Sequence, residues 1–133
     1  MKKAILIIFL SAAFLGNSET LNKAVILLPE AIRPYEAIWS AVCEVETEND
    51  PFAYNPTEQA TGISQIRPIR VLDYNIRTGK KYTLVDMYDV EISKEVFMYY
   101  ACRIVDRDEI IKRWNGSGFQ TEIYLKKVLT KIN

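Results

Sequence analysis

Between Glu46 and Gln65 the chain reads E-T-E-N-D-P-F-A-Y-N-P-T-E-Q-A-T-G-I-S-Q. An acidic residue ends an apolar-faced helix, an Asp-Pro turn follows, and a loop returns through Gly62 to the amide of Gln65. With Ile38 at the centre of the helix's buried face and about 100° per residue, Val42 falls at about 40°, Val45 at about −20° and Glu46 at about 80°. Glu46 thus sits on the shoulder of the apolar stripe. Glu44 lands on the polar side at about −120°, and Glu48 lies past the helix end. Removal from water raises a carboxyl pKa, which a general acid at neutral pH requires, so Glu46 is the expected acid. A glutamate snorkelling at the edge of a core would occupy the same position.

Around it, Thr47 can orient the carboxyl or cap the following turn. Asp50, before Pro51, suits a turn but is close enough in sequence to be a second carboxylate. Gln65 can hold a substrate hydroxyl or N-acetyl group, and Trp114 can stack on a sugar ring, although a tryptophan on a helix face commonly belongs to the core. Histidine is absent, which excludes His-dependent hydrolase triads and the common zinc sites. The acids follow no calcium-loop spacing, so neither metal nor organic cofactor is expected. Cys43 and Cys102 can pair in an exported protein, yet they fall in separate expected helices, and Cys43 points away from its helix's most apolar stripe. Two small unbridged, buried side chains are the expectation.

The elements that must position these groups read as mainly α. A helix is expected from Pro34 to about Thr47, closed by Asn49-Asp50-Pro51. Residues 51 to 66 are loop-rich. A second helix runs from Pro68 to Thr78 on Ile69, Leu72 and Ile76, stopped by Gly79. Thr83 to Asp86 makes one short turn, and Ser93 begins a helix that buries Val96, Phe97, Tyr100, Ala101 and Ile104. Asp106 caps a short helix through Ile110, Ile111 and Trp114. Thr121 caps the last helix, with Tyr124, Leu125, Val128, Leu129 and Ile132 on one face. Ala24–Leu28 and Lys81–Val85 are the strand-like pieces, leaving room for a small hairpin.

The chain has 133 residues, enough for one core. Met1-Lys2-Lys3 and the apolar run Ala4 to Gly16 have the form of a secretory signal peptide, too short to span a bilayer. A cut after Ser18 divides the chain into a signal, 1–18, and a domain, 19–133, exported to the periplasm or cell envelope with no stable membrane span. Residues 19–33 read as a packing segment. The full chain has 17 basic and 17 acidic residues; the signal holds Lys2 and Lys3 and no acid, so the remainder carries a formal charge of −2. That balance gives no support to a nucleic-acid or anionic-membrane partner.

Three motifs in order resemble the lysozyme-like soluble lytic transglycosylase (SLT) family of peptidoglycan-cleaving enzymes. The pattern E-S-x-x-N-P-x-A is met by Glu46-Thr47-Glu48-Asn49-Asp50-Pro51-Phe52-Ala53, and A-x-G-L-x-Q-I by Ala60-Thr61-Gly62-Ile63-Ser64-Gln65-Ile66. A helix ending in Y-N-A-G is echoed by Trp114-Asn115-Gly116, and Tyr124 to Leu129 is similar to the family's closing helix. The resemblance covers residues 35 to 130. It implies a mainly α, lysozyme-like (SLT or goose-type-like) single domain acting on a peptidoglycan glycan strand. By the same resemblance Glu46 is the catalytic acid, Thr47 stands for the neighbouring serine, Gln65 lines the cleft and Asn115 matches the asparagine of the third motif. Trp114 is the main departure, because the family tyrosine offers a hydroxyl to the glutamate. Asp50 for asparagine and Ile63 for leucine are the others. Two rivals go with this reading: a hydrolase of the same fold using Asp50 or Asp73 to position water, and a catalytically silent domain that binds peptidoglycan or docks in an envelope assembly.

Overall fold

The computed structural model describes residues 35–132. The expected signal, the packing segment 19–33 and the strand-like Ala24–Leu28 lie outside these residues. The described chain is mainly helical: α1 (35–47), β1 (Tyr54–Asn55), β2 (Ala60–Thr61), α2 (Pro68–Thr78), a 3-10 turn (Val85–Tyr88), α3 (Val90–Ala101), α4 (Arg107–Asn115) and α5 (Gln120–Leu129).

Helix α1 is the hub. Ile38, Trp39, Ala41, Val42 and Cys43 are all buried. At about 100° per residue these cover an arc of roughly 200°, far wider than a surface helix's stripe. Cys43, expected off the apolar face, is therefore inside, while Cys102 is exposed, and both are free thiols. Burial pushes the Cys43 thiol up to about 12, so it is inert. The buried residues of α1 share one cluster with Phe97 and Val96 of α3, Ile111 of α4, Val128 of α5, and Ile66 and Met87 from the connecting segments. Each such side chain contributes about 1.5–3 kcal/mol of transfer free energy. Trp39 and Trp114 both meet Phe97, at ring-centroid distances of 5.2 and 4.9 Å.

Helix α2 has the expected limits, with Gly79 at φ +75 donating its N–H to the Asn75 carbonyl at 2.8 Å. Its buried face is the opposite of the expected one. Val71 and Tyr74 are buried, whereas Ile69, Leu72 and Ile76 are 69%, 55% and 75% exposed. The segment holds two competing stripes, and the aromatic one wins. Tyr74 stacks on Tyr82, meets Tyr99 edge-on, and donates its hydroxyl to Glu95 at 2.5 Å.

Two caps differ from expectation. Asp89, accepting from the N–H groups of Glu91 and Ile92, starts α3 four residues before Ser93. Ser93 is buried instead, donating to the Met87 carbonyl at 2.7 Å. Thr121 lies within α5 and returns its hydroxyl to the Gly118 carbonyl. The expected turn at Thr83 to Asp86 is shifted to Val85–Tyr88, with the Asp86 carboxylate accepting from the Thr83 N–H and hydroxyl. Of the expected buried faces, Tyr100, Ile104, Leu129 and Ile132 are only half-buried.

The hairpin lies inside the segment read as loop. β1 and β2 pair antiparallel, Tyr54 with Thr61 and Asn55 with Ala60, whereas Lys81–Val85 forms no strand. Two residues per strand are too few for an alternating pattern to show. Gly62, which follows β2, has φ +78, and a Cβ there would stand 1.9 Å from the Met87 carbonyl oxygen. Gly79, also at positive φ, has open space around it. Glycine is thus demanded at Gly62 twice over, by conformation and by contact.

Candidate active site

The hairpin, the end of α1, the start of α2 and the end of α4 enclose a cleft of about 240 Å³. Glu46, Gln65, Trp114 and Asn115 all line it. Thr47 does not.

Glu46 is on the last turn of α1, at about the middle of that helix's buried arc rather than on its shoulder. Its Oε1 accepts from the Tyr124 hydroxyl of α5 at 2.7 Å. Burial is the main influence on its carboxyl and raises the pKa; the Tyr124 bond and the charge of Arg67 pull the other way, and Glu58 adds to the rise. Tyr124 is held firmly protonated by its own burial and by the carboxylate beside it, so it acts as a donor. Glu46 is therefore poised to hold a proton above the usual carboxylate range while facing a polar cleft.

The hydroxyl that reaches Glu46 comes from Tyr124 of α5. In the sequence Tyr124 was readable as a buried position on the last helix; that its hydroxyl reaches across to a residue 78 positions earlier is a long-range fact that periodicity does not carry.

Thr47 neither touches the Glu46 carboxyl nor caps the next turn. Its hydroxyl donates to the Ile63 carbonyl at 2.8 Å and lies 3.2 Å from the Cys43 carbonyl, tying α1 to the loop after β2. Gln65, at φ 53, directs its amide nitrogen to the carbonyls of Gly62 at 3.1 Å and Ala53 at 3.4 Å, which braces the loop. Among the described residues, every non-glycine at positive φ, namely Glu48, Asn49, Gln59 and Gln65, belongs to this segment. Such backbone persists where surrounding contacts enforce it, as they do at functional loops.

Trp114 is a wall rather than an open stacking platform. It is 8% exposed, donates its indole N–H to the Ser64 carbonyl at 3.2 Å, and has the Arg70 guanidinium 4.3 Å from its ring centroid. Asn115 accepts at its backbone carbonyl from Arg67 at 3.1 Å. Arg67 also bridges Glu58, on the turn between β1 and β2, at 3.2 Å, so one guanidinium joins the hairpin to the end of α4. Arg67 and Glu58 both line the cleft, and neither stood out in the sequence, where a lone charge in a loop reads as solvated.

Asp50 and Asp73 do not border the cleft. Asp50 accepts from the Phe52 N–H at 2.9 Å as a turn residue, and Asp73 is engaged by Arg77 and Tyr100 on another face of α2. The cleft's second carboxylate is Glu58. No three His, Cys, Asp or Glu side chains form a metal-holding group among the described residues, and no described helix is long and apolar enough to cross a membrane.

In comparisons with known proteins, no family model, no curated protein and no solved structure gives a significant match to the chain.

Proposed function

We propose that this protein is a peptidoglycan lytic transglycosylase of lysozyme-like fold, with Glu46 as its single acid and base. The observation that carries the reading is the desolvated Glu46 carboxyl, hydrogen-bonded by Tyr124, in a polar cleft that also holds Gln65 and Asn115. Glu46 protonates the oxygen between N-acetylmuramic acid and N-acetylglucosamine as the bond from that oxygen to the muramic C1 breaks. The resulting carboxylate takes the proton of the muramic 6-hydroxyl, whose oxygen attacks C1 and closes a 1,6-anhydro ring. Glu46 ends protonated, and no water is consumed. The Tyr124 bond supports the carboxylate while it is charged.

A second reading, hydrolysis of the same bond, is favoured by Glu58, which faces the same cleft and would position water as the second carboxylate. Mass spectrometry of fragments released from purified peptidoglycan separates the two. Anhydro ends from the native protein and none from Glu46→Gln are expected. Reducing ends that vanish in Glu58→Gln would establish the hydrolase, and wall binding without release by the native protein would leave a silent binding domain.

A further inference from the structure

Trp114 and Arg70 also border a second cavity, again of about 240 Å³, that contains none of the acidic residues of the cleft. Four arginines converge on it from three parts of the fold: Arg70 and Arg77 from α2, Arg113 from α4, and Arg103 from the turn after α3. Phe97, Ile104 and Ile110 give it an apolar lining.

The arginines are unequally neutralised. Arg77 is bridged to Asp73 at 2.8 Å and Arg113 to Glu109 at 2.5 Å, each within its own helix. Arg70 and Arg103 bridge no carboxylate among the described residues. Arg70 spends one terminal nitrogen on the carbonyls of Arg113 and Trp114, both at 3.2 Å, and lies over the rings of Trp114 and Tyr100. Arg103 lies 3.6 Å from the Tyr99 ring centroid and donates to the Tyr99 carbonyl. A guanidinium has five N–H donors, so each retains unspent ones. Burial lowers the pKa of Arg70, and nearby Tyr100 and Asp73 offset that only in part.

We propose that this cavity binds a small amphipathic carboxylate, its anionic head on Arg70 and Arg103 and its apolar group on the Phe97, Ile104 and Ile110 lining. Guanidinium pairs carboxylate in a planar, two-bond geometry, and the aromatic faces behind both arginines hold their planes in place. At about 240 Å³ the cavity exceeds the roughly 150 Å³ in which an apolar cavity holds one benzene, so it admits one aromatic ring with a short acid chain and excludes a folded partner. A bare inorganic anion would leave the apolar lining unused. The assignment stands independently of the glycan-cleaving reading.

The test is titration of the full-length protein with 3-phenylpropionate, followed by nitrogen–proton NMR. The indole signal of Trp114 and the amides around Arg103 should move saturably, with half-saturation at about 1 mM or below. The neutral analogue 3-phenylpropionamide should bind at least about tenfold more weakly, the loss expected for one charge-assisted hydrogen bond. Arg103→Gln should cause a similar loss, and because Arg103 is exposed the variant should keep a dispersed spectrum. If it does not fold, Arg103→Lys, which keeps the charge and loses the fork, should lie between the two. No saturable shift, equal binding of the amide, or unchanged binding by the folded Arg103 variant would each overturn the assignment.

Discussion

Trp114 and Arg70 border two cavities of similar size and opposite chemistry. The cleft is polar and carries two carboxylates, one desolvated by a helix end and the other held in a bridge to Arg67. The second cavity is aromatic and cationic and carries no carboxylate in its lining. In the cleft both carboxylates have partners that tune them, Tyr124 at Glu46 and Arg67 at Glu58. In the second cavity, two guanidiniums rest on rings and backbone carbonyls alone. Tuned charge suits chemistry, whereas unmatched charge suits capture of an anion.

The largest effect should come from removing the tuned charge. Glu46→Gln keeps the shape of the cleft and abolishes its proton donor, so glycan release should fall by about 10³-fold or more, within the range for general acid-base groups and their oriented partners. Binding in the arginine cavity should not change. Loss of binding there in the folded variant would show that the two cavities are one site.

Gly62→Ala separates the cavities by stability. The added Cβ meets the Met87 carbonyl oxygen, which itself accepts from Ser93, so the neighbour is backbone held in place. Overpacking and positive φ together should cost about 3 kcal/mol or more in denaturant unfolding. Whatever remains folded should lose glycan release before it loses phenylpropionate binding, because only the cleft is walled by this loop.

Tyr124→Phe should reduce glycan release by about 10- to 100-fold, the equivalent of one hydrogen bond to a charged group. The pH profile identifies the cause. On the proposed mechanism activity requires protonated Glu46 and should decline as pH rises through that pKa, and since the Tyr124 bond lowers the value, its loss should move the alkaline limb upward. A limb that stays in place would mean that the hydroxyl does not act on Glu46.

The cleft was more legible in the sequence than the second cavity. Glu46, Gln65 and Asn115 lie in short motifs with fixed spacing, and the structure brings all three to one cleft. Helices α1, α2 and α4 were legible through proline, glycine and aspartate punctuation. The buried face of α2 was not, because its two apolar stripes are equally periodic and only the partners of Tyr74 decide between them. The Tyr124 hydroxyl, the Arg67 clamp and the four-arginine cavity depend on residues distant in sequence, and no local rule gathers them. Of the two unbridged cysteines expected to be buried, Cys43 is in the core, whereas Cys102 is on the surface.

The smallest effect concerns stability. Glu46 has its pKa raised on folding, so the folded state binds its proton more tightly than the unfolded chain does. Its favourable contribution is complete below the unfolded value of 4.5 and is lost as pH rises through the folded one. Glu46→Gln cannot ionise and escapes that loss. The variant should match the parent at pH about 4 and exceed it at neutral pH by about 1 kcal/mol, in the range that relieving a functional site commonly yields. Urea unfolding at the two pH values reads the difference directly. Equal stabilities at both would mean that Tyr124 and Arg67 fully offset the desolvation of Glu46, leaving the cleft a carboxylate with no elevated proton affinity. Arg103→Gln in the same assay should show no comparable pH dependence, because the arginine remains charged throughout the range.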